Sequence, residues 1–230
     1  MTPDASLPGA AAERLAAVRA RIAAACVRAG RDPAGVTIVA VSKMFGPEAV
    51  ADLYQAGQRH FGENRVQEAA AKVPAAARLG VDATWHLVGH LQTNKVAAAL
   101  RLFAILHSVD SLKLAEAISR RAGGPVDVLL EVNVARDPRK YGFAPDDVAG
   151  AVSAVARLDN LNLRGLMTVA PFVENPEDVR PFFRTLRALR DAEGLVELSM
   201  GMTNDYEVAV EEGATLVRVG RALFGAREER

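Results

Sequence analysis

The chain has 230 residues, of which 50% are hydrophobic and 24% are charged, and its formal net charge at pH 7 is zero. This much apolar material is enough to bury one large α/β core, and the charge balance does not indicate binding to nucleic acid or to an anionic membrane. The single cysteine, Cys26, excludes a disulfide framework and a cysteine-based zinc site.

The N-terminal stretch has the composition of a helix and not of a targeting segment. Arg14, Arg19 and Arg21 interrupt its alanines, so it lacks the unbroken apolar region of a secretory signal peptide. No run of about 18 apolar residues, the length that a membrane span needs, occurs anywhere in the chain. We therefore expect a cytoplasmic protein that does not insert into membranes.

Short β-rich runs alternate with helical stretches along the chain. An amphipathic helix is predicted at 10–29, with Gly30 as its C-cap. The predicted strands are 36–43, 59–64, 84–90, 104–110, 126–134, 162–170, 196–202 and 215–225. The helices predicted between them are 47–55, 66–73, 92–102, 111–122, one that begins at 145, 176–192 and 205–213.

Eight strands alternating with helices predict an α/β fold, a single-domain (β/α)8 TIM barrel spanning 1–230. The helix at 10–29 then covers a part of the barrel that would otherwise be open. A doubly wound open sheet is the competing fold, but it usually has fewer strands. The dinucleotide version of that fold also needs a G-x-G-x-x-G motif after the first strand, and this chain has none there.

In such a barrel, functional residues follow the C-terminal ends of the strands. Lys43 ends an otherwise apolar strand, and burial lowers the pKa of an amine and makes it a nucleophile toward carbonyl groups. The pattern alone gives equal weight to a Lys43 that projects from the barrel mouth into water. The chain takes most of its positive charge from arginine, which forms no imine, so a lysine at this position favours amine chemistry.

Small residues at the ends of the last two predicted strands indicate a phosphate site. Ser199, Gly201, Thr203 and Gly220 offer hydroxyl and backbone N–H groups there, although the glycines also suit tight turns and Thr203 also suits a helix cap. Arg218 lies inside an apolar strand and needs either a carboxylate or a ligand acceptor. The histidines do not have the spacing of a shared metal site, so no metal is expected.

Seven segments also resemble one known family, in order and over residues 10–225. They are AVSK at 40–43, HFGENRVQE at 60–68, WHLVGHLQTNK at 85–95, HSVDS at 107–111, LRGLMTVAP at 163–171, LSMGMTNDYEVAVEEG at 198–213 and LVRVGRALFG at 216–225. The chain thereby resembles the pyridoxal phosphate homeostasis protein family. This family is similar to the barrel domain of bacterial alanine racemases, which bind pyridoxal 5'-phosphate (PLP) in fold type III.

The resemblance implies a role for each matched position. Lys43 matches the lysine that holds PLP covalently as a Schiff base, and Arg218 matches the arginine that faces the pyridine nitrogen. The phosphate-binding segment is matched by Ser199, Gly201, Thr203 and Gly220, with threonine at 203 where serine is usual. Asn64 and His86 match residues close to the cofactor ring. His90 and Arg221 are assigned no role, and no residue is assigned as catalytic.

An arginine facing the ring favours a carrier over an enzyme. Because arginine stays protonated, the pyridine nitrogen must accept a hydrogen bond, and an unprotonated ring is a weak electron sink. The expected function is PLP homeostasis as a monomer, with PLP-dependent apo-enzymes as recipients.

Two other functions stay open. An amino-acid racemase needs a base on each face of the substrate α-carbon. In alanine racemases the second base is a tyrosine from a partner's C-terminal domain, for which a chain ending at Arg230 has no room. The tyrosines present are Tyr54, Tyr141 and Tyr206, and nothing in the sequence marks one as a base. The other possibility is a barrel for a phosphorylated metabolite, in which Lys43 is only a counter-ion.

Overall fold

The computed structural model of the protein describes residues 8–225 as a closed barrel of eight parallel strands. The strands are β1 (Thr37–Val41), β2 (His60–Glu63), β3 (Thr84–Leu87), β4 (Ile105–Val109), β5 (Val126–Glu131), β6 (Leu161–Met167), β7 (Glu197–Ser199) and β8 (Leu216–Val219). Each strand pairs with the next along the chain, and β8 pairs with β1 in a register that sets Val39 beside Arg218. The predicted single-domain (β/α)8 barrel is confirmed.

Helices connect the strands on the outside of the barrel. They are α1 (Pro8–Arg28), α2 (Pro47–Gln55), α3 (Val66–Arg78), α4 (Val96–Ala99), α5 (Leu112–Arg121), α6 (Val148–Val155), α7 (Arg180–Ala192), α8 (Tyr206–Glu211) and α9 (Arg221–Phe224). Single 3₁₀ turns precede α4, α6 and α7, at 93–95, 145–147 and 176–179. In the part of the chain that the structure describes, none of the helices has the length and apolar content needed to cross a bilayer.

Helix α1 precedes the barrel in sequence and covers its seam. Leu15, Val18 and Ile22 recur at helical spacing on one face and are buried. The helix packs against α2, α8 and α9, and Arg14 Nε donates to the carbonyl of Leu223 at 2.6 Å. Since α9 after the last strand has only four residues, α1 supplies the cover that β8 and β1 need.

The predicted boundaries differ from the observed ones in two instructive places. The strand predicted at 215–225 ends at Val219, because Gly220 leaves the extended region and the next residues form α9, with Leu223 and Phe224 buried. The helix predicted at 66–73 continues to Arg78 through Pro74. Proline inside a helix costs one backbone hydrogen bond but does not have to end the helix.

Side chains alternate along each strand between the barrel interior and the helix layer. A small apolar cluster fills the interior, formed by Val39, Val41, Val88, Leu129, Met167 and Leu216. Most of the buried apolar residues lie instead between the strands and the helices. The predicted domain 1–230 includes residues 1–7 and 226–230, which lie outside the described residues.

Candidate functional site

A cleft of about 2160 Å³ opens at the C-terminal end of the barrel, where the strands lead into the loops. Five of the predicted site residues line it, namely Lys43, Asn64, Thr203, Arg218 and Gly220. The other three, His86, Ser199 and Gly201, are buried and lie outside the cleft wall. The structure therefore brings one group of predicted residues to the cleft surface and places a second group beneath it.

Lys43 occupies the second position of a tight turn that follows β1. The turn spans Ser42 to Phe45, and the Phe45 N–H donates to the carbonyl of Ser42 at 3.0 Å. Lys43 is half-buried and contributes to the cleft wall. Within residues 8–225 its Nζ donates no hydrogen bond, so the amine is available to a group in the cleft.

Two further lysines line the same cleft, and the protein already engages both of them. Lys72 Nζ lies 2.5 Å from Glu63 Oε1 and 3.0 Å from Glu68 Oε1, and Lys140 Nζ donates to the carbonyls of Val169 and Ala170 at 3.1 and 3.2 Å. Among the described lining residues, Lys43 is thus the lysine whose amine the protein leaves without an acceptor.

Arg218 lies at the floor of the cleft and is 4% exposed. Its Nη1 donates to Ser199 Oγ at 2.6 Å and its Nη2 to the carbonyl of Thr168 at 2.7 Å, while Nε has no acceptor within the described part of the chain. Burial lowers the pKa of Arg218 to about 10, and the carboxylates of Asp205 and Glu131 oppose this shift. The side chain therefore stays a cation at neutral pH.

A line of hydrogen-bonded side chains continues from Arg218 through the barrel interior. Ser199 Oγ lies 2.8 Å from His107 Nδ1, His107 Nε2 lies 2.9 Å from His86 Nδ1, and His86 Nε2 lies 3.0 Å from His60 Nδ1. We call these four residues the histidine chain. His86 and His107 have no exposed surface, whereas His60 is half-buried.

Arg218 sets the first hydrogen bond of this line because a guanidinium only donates. Ser199 Oγ accepts from it, and the Ser199 hydroxyl proton is then free to bond His107 Nδ1. With that hydrogen bond made, one tautomer satisfies the whole line, in which each imidazole donates through Nε2 to the next. Desolvation lowers the pKa of His86 to about 3 and holds that of His107 well below its usual value, with the neighbouring His60 and His86 adding to the respective shifts. The histidine chain is therefore neutral.

The loops after β7 and β8 meet on another side of the cleft. The Gly220 N–H donates to Thr203 Oγ1 at 3.3 Å, while the N–H groups of Thr203, Asn204 and Arg221 donate to no acceptor within residues 8–225. Gly201 has a φ of 89°, and a Cβ there would lie 2.5 Å from Ala209 Cβ. Packing against α8 thus requires glycine at 201.

Several residues for which the sequence predicts no role prove to be part of this region. They are Glu63, Glu68 and Lys72 beneath the Lys43 turn, and His60 and His107 in the histidine chain. Glu63 carried a signal, because a carboxylate in an apolar strand needs a partner as much as Arg218 does. Nothing in the local pattern named that partner.

Comparison with known proteins places the chain in a family. The family described as "Alanine racemase, N-terminal domain" matches residues 14–228. A relative in Aquifex aeolicus, named pyridoxal phosphate homeostasis protein, is 44% identical over 95% of this chain and 99% of the relative. The chain belongs to the pyridoxal phosphate homeostasis protein family. Further relatives of that name are 46% identical in Pseudomonas aeruginosa and 38% identical in Escherichia coli, each over 94% of this chain and 96% and 97% of the relative.

Solved structures agree with this membership. PipY of Synechococcus elongatus without PLP is 41% identical, with a TM-score of 0.83 over 93% of this chain and 99% of PipY. PipY with PLP bound gives a TM-score of 0.81 at 39% identity, over 94% of this chain and all of PipY. Alanine racemase from Corynebacterium glutamicum, at 19% identity and a TM-score of 0.63 over 92% of this chain and 61% of that one, shares the fold alone. The predicted family resemblance is confirmed.

Proposed function

We propose that this protein holds PLP as a Schiff base on Lys43 and contributes to intracellular PLP homeostasis without catalytic turnover. The observation that carries the proposal is the state of the three cleft lysines, since Lys72 and Lys140 are engaged and the Lys43 amine is not. The solved relative PipY, which has been observed with PLP bound, supports the choice of ligand.

The groups around the cleft fit the chemistry of PLP. An amine suits its aldehyde, the Nε–H of Arg218 suits an accepting pyridine nitrogen, and the N–H groups of Thr203, Asn204 and Arg221 suit its phosphate. Asn64 Oδ1 is buried without a hydrogen-bond partner within residues 8–225, which marks an acceptor that a ligand can satisfy.

The covalent step needs only the amine and the aldehyde. The neutral Lys43 amine would add to the carbonyl carbon and lose its two N–H hydrogens, which would leave with the carbonyl oxygen as water. The C=N bond that remains could be hydrolysed again by water. Arg218 is a permanent donor, so it keeps the ring nitrogen unprotonated and makes PLP a weak electron sink. Such a site retains the aldehyde reversibly and disfavours carbanion chemistry.

The placement of the tyrosines argues against the racemase alternative. Tyr141 is 59% exposed and stacks on His90 with 3.9 Å between ring centroids, and Tyr206 is 1% exposed. None of the three tyrosines is among the described residues that line the cleft. We propose a cytoplasmic monomer that passes PLP to PLP-dependent apo-enzymes.

Borohydride reduction of the PLP-loaded protein tests the proposal, because reduction fixes PLP on the lysine that holds it. We expect one reduced adduct, at Lys43, and loss of the imine absorbance in Lys43→Ala. The matched control is Lys113→Ala, which removes an exposed lysine outside the cleft and leaves the absorbance unchanged.

Three results would overturn parts of this proposal. Reduced label on Lys72, Lys95, Lys113 or Lys140 contradicts the site. A wild-type protein that binds PLP but shows no imine absorbance contradicts the Schiff base. That result favours a barrel for a phosphorylated metabolite. Enzyme-dependent exchange of the α-proton in any of a panel of amino acids favours the racemase over the carrier.

A further inference from the structure

The backbone beside Lys43 is in an unfavourable conformation. Met44 is the third residue of the Ser42–Phe45 turn and has a φ of 69°. Turns with a positive φ at this position normally carry glycine there, because a Cβ makes the left-handed region costly. The structure around the turn must therefore supply interactions that keep Met44 in place.

Those interactions come from one buried ionic cluster between β2 and α3, which we call the Lys72 cluster and which consists of Glu63, Glu68 and Lys72. Met44 N–H donates to Glu68 Oε1 at 2.6 Å, and Lys72 Nζ contacts the same oxygen at 3.0 Å. At the other end of the turn, Lys72 Nζ donates to the carbonyl of Ser42 at 2.6 Å, and Ser42 Oγ donates to Glu63 Oε1 at 2.5 Å. The residues on both sides of Lys43 are thus fixed to the same cluster.

The burial of the cluster makes these contacts strong. The side chain of Lys72 is 5% exposed, that of Glu63 is fully buried and that of Glu68 is 30% exposed. Desolvation would raise the pKa of Glu68, but the hydrogen bonds from Met44 and Lys72 outweigh it and lower that pKa. Glu68 is therefore an ionised acceptor for the Met44 N–H at neutral pH.

We propose that Glu68 and Lys72 are positioning residues that hold Met44 in its left-handed conformation and thereby direct the Lys43 amine into the cleft. This inference rests on the proposed function. Glu68 acts on the backbone next to Lys43, and Lys72 acts through Glu68 and the Ser42 carbonyl. An alternative role for Glu68, as a charge that acts on the ligand directly, is open because its side chain also lines the cleft.

A double-mutant cycle with Glu68→Ala and Met44→Gly separates these roles, because glycine adopts a positive φ without a Cβ penalty. The measured quantity is the rate of imine formation after PLP is mixed with the apo-protein, together with the borohydride-labelled fraction of Lys43. We expect Glu68→Ala to slow imine formation on the order of tenfold, the effect of one charge-assisted hydrogen bond. In the Met44→Gly background, Glu68→Ala should slow imine formation by less than about threefold. A glycine at position 44 does not need Glu68 to keep a positive φ.

Glu116→Ala, which removes an exposed carboxylate from α5, is the matched control and should leave the rate unchanged. An equal penalty for Glu68→Ala in both backgrounds assigns Glu68 a direct electrostatic role and overturns the inference, as does a Glu68→Ala rate equal to that of the control. If wild-type protein carries no label on Lys43, the proposed function itself fails, which distinguishes the two failures.

Discussion

Beneath Arg218 the polar side chains are neutral and run in a line through the barrel interior, whereas beneath the Lys43 turn they are charged and gathered in one cluster. Ser199, His107, His86 and His60 form the first set, and Glu63, Glu68 and Lys72 form the second. The first set supports the Arg218 guanidinium, and the second fixes the residues on either side of Lys43.

The difference follows from what each set has to hold. Arg218 is a buried cation whose Nη groups bond neutral acceptors, Ser199 Oγ and the Thr168 carbonyl, while the carboxylates of Asp205 and Glu131 favour its charge from further away. The Lys43 turn needs its backbone fixed, and ionised groups make the stronger hydrogen bonds to backbone N–H and C=O. A buried charge, however, is tolerated only while its partner is present.

The stability of the protein should depend most strongly on the Lys72 cluster. Lys72→Met leaves the Glu63 carboxylate buried without its cation, and we expect it to lower the free energy of unfolding by about 3–5 kcal/mol. Urea denaturation monitored by circular dichroism measures this. Lys72→Met combined with Glu63→Gln should recover much of the loss, because the second change removes the buried charge. A loss below about 1 kcal/mol for Lys72→Met alone would show that the cluster is not electrostatically coupled.

Removing one member of the histidine chain should destabilise the protein less, because its members are neutral. His107→Leu removes the partner of His86 Nδ1 and of Ser199 Oγ, and we expect the free energy of unfolding to fall by about 2–4 kcal/mol. His90→Leu is the matched control: His90 lies at the mouth, its side chain is 36% exposed, and its contact with Asp110 should contribute less than about 1 kcal/mol. Equal losses in the two variants would contradict a continuous buried chain.

Acid should act on the two regions in opposite directions. The pKa of His86 falls from 6.5 in the unfolded chain to about 3 in the fold, so the unfolded chain binds more protons between these values and stability decreases as the pH falls through them. Burial instead raises the pKa of Glu63, although Lys72 and Ser42 oppose the shift, so this carboxyl contributes relatively more stability as the pH falls.

Unfolding free energies measured at pH 8 and pH 5 give the contribution of each group to this pH dependence. We expect His86 to lower the free energy of unfolding by about 2 kcal/mol at pH 5 relative to pH 8. His86→Leu should therefore show a weaker decline toward acid than the wild type, and Glu63→Gln should show a steeper one. Parallel pH curves for His86→Leu and the wild type would mean that His86 is not held neutral by the fold.

Much of this site follows from individual residues in the sequence. Lys43 and Arg218 are polar residues in apolar strands, and such exceptions to the burial rule can be recognised without a structure. The family resemblance correctly indicated the fold, and five of its predicted site residues line the cleft. The sequence did not show that His86 and Ser199 lie beneath the cleft. A strand residue can line a ligand site or lie beneath it, and its distance from the barrel mouth decides between the two.

The sequence by itself determined the eight-strand alternation, the family and the amine at the end of β1, because each of these is written in local periodicity or in short contiguous motifs. Only the tertiary structure decided which residues contact the backbone beside that amine and which contact Arg218. Glu68 meets Met44 across 24 residues of chain, and Ser199 meets His107 across 92. Such pairs form only when barrel closure fixes strand register and side-chain direction together, and no local pattern records that geometry.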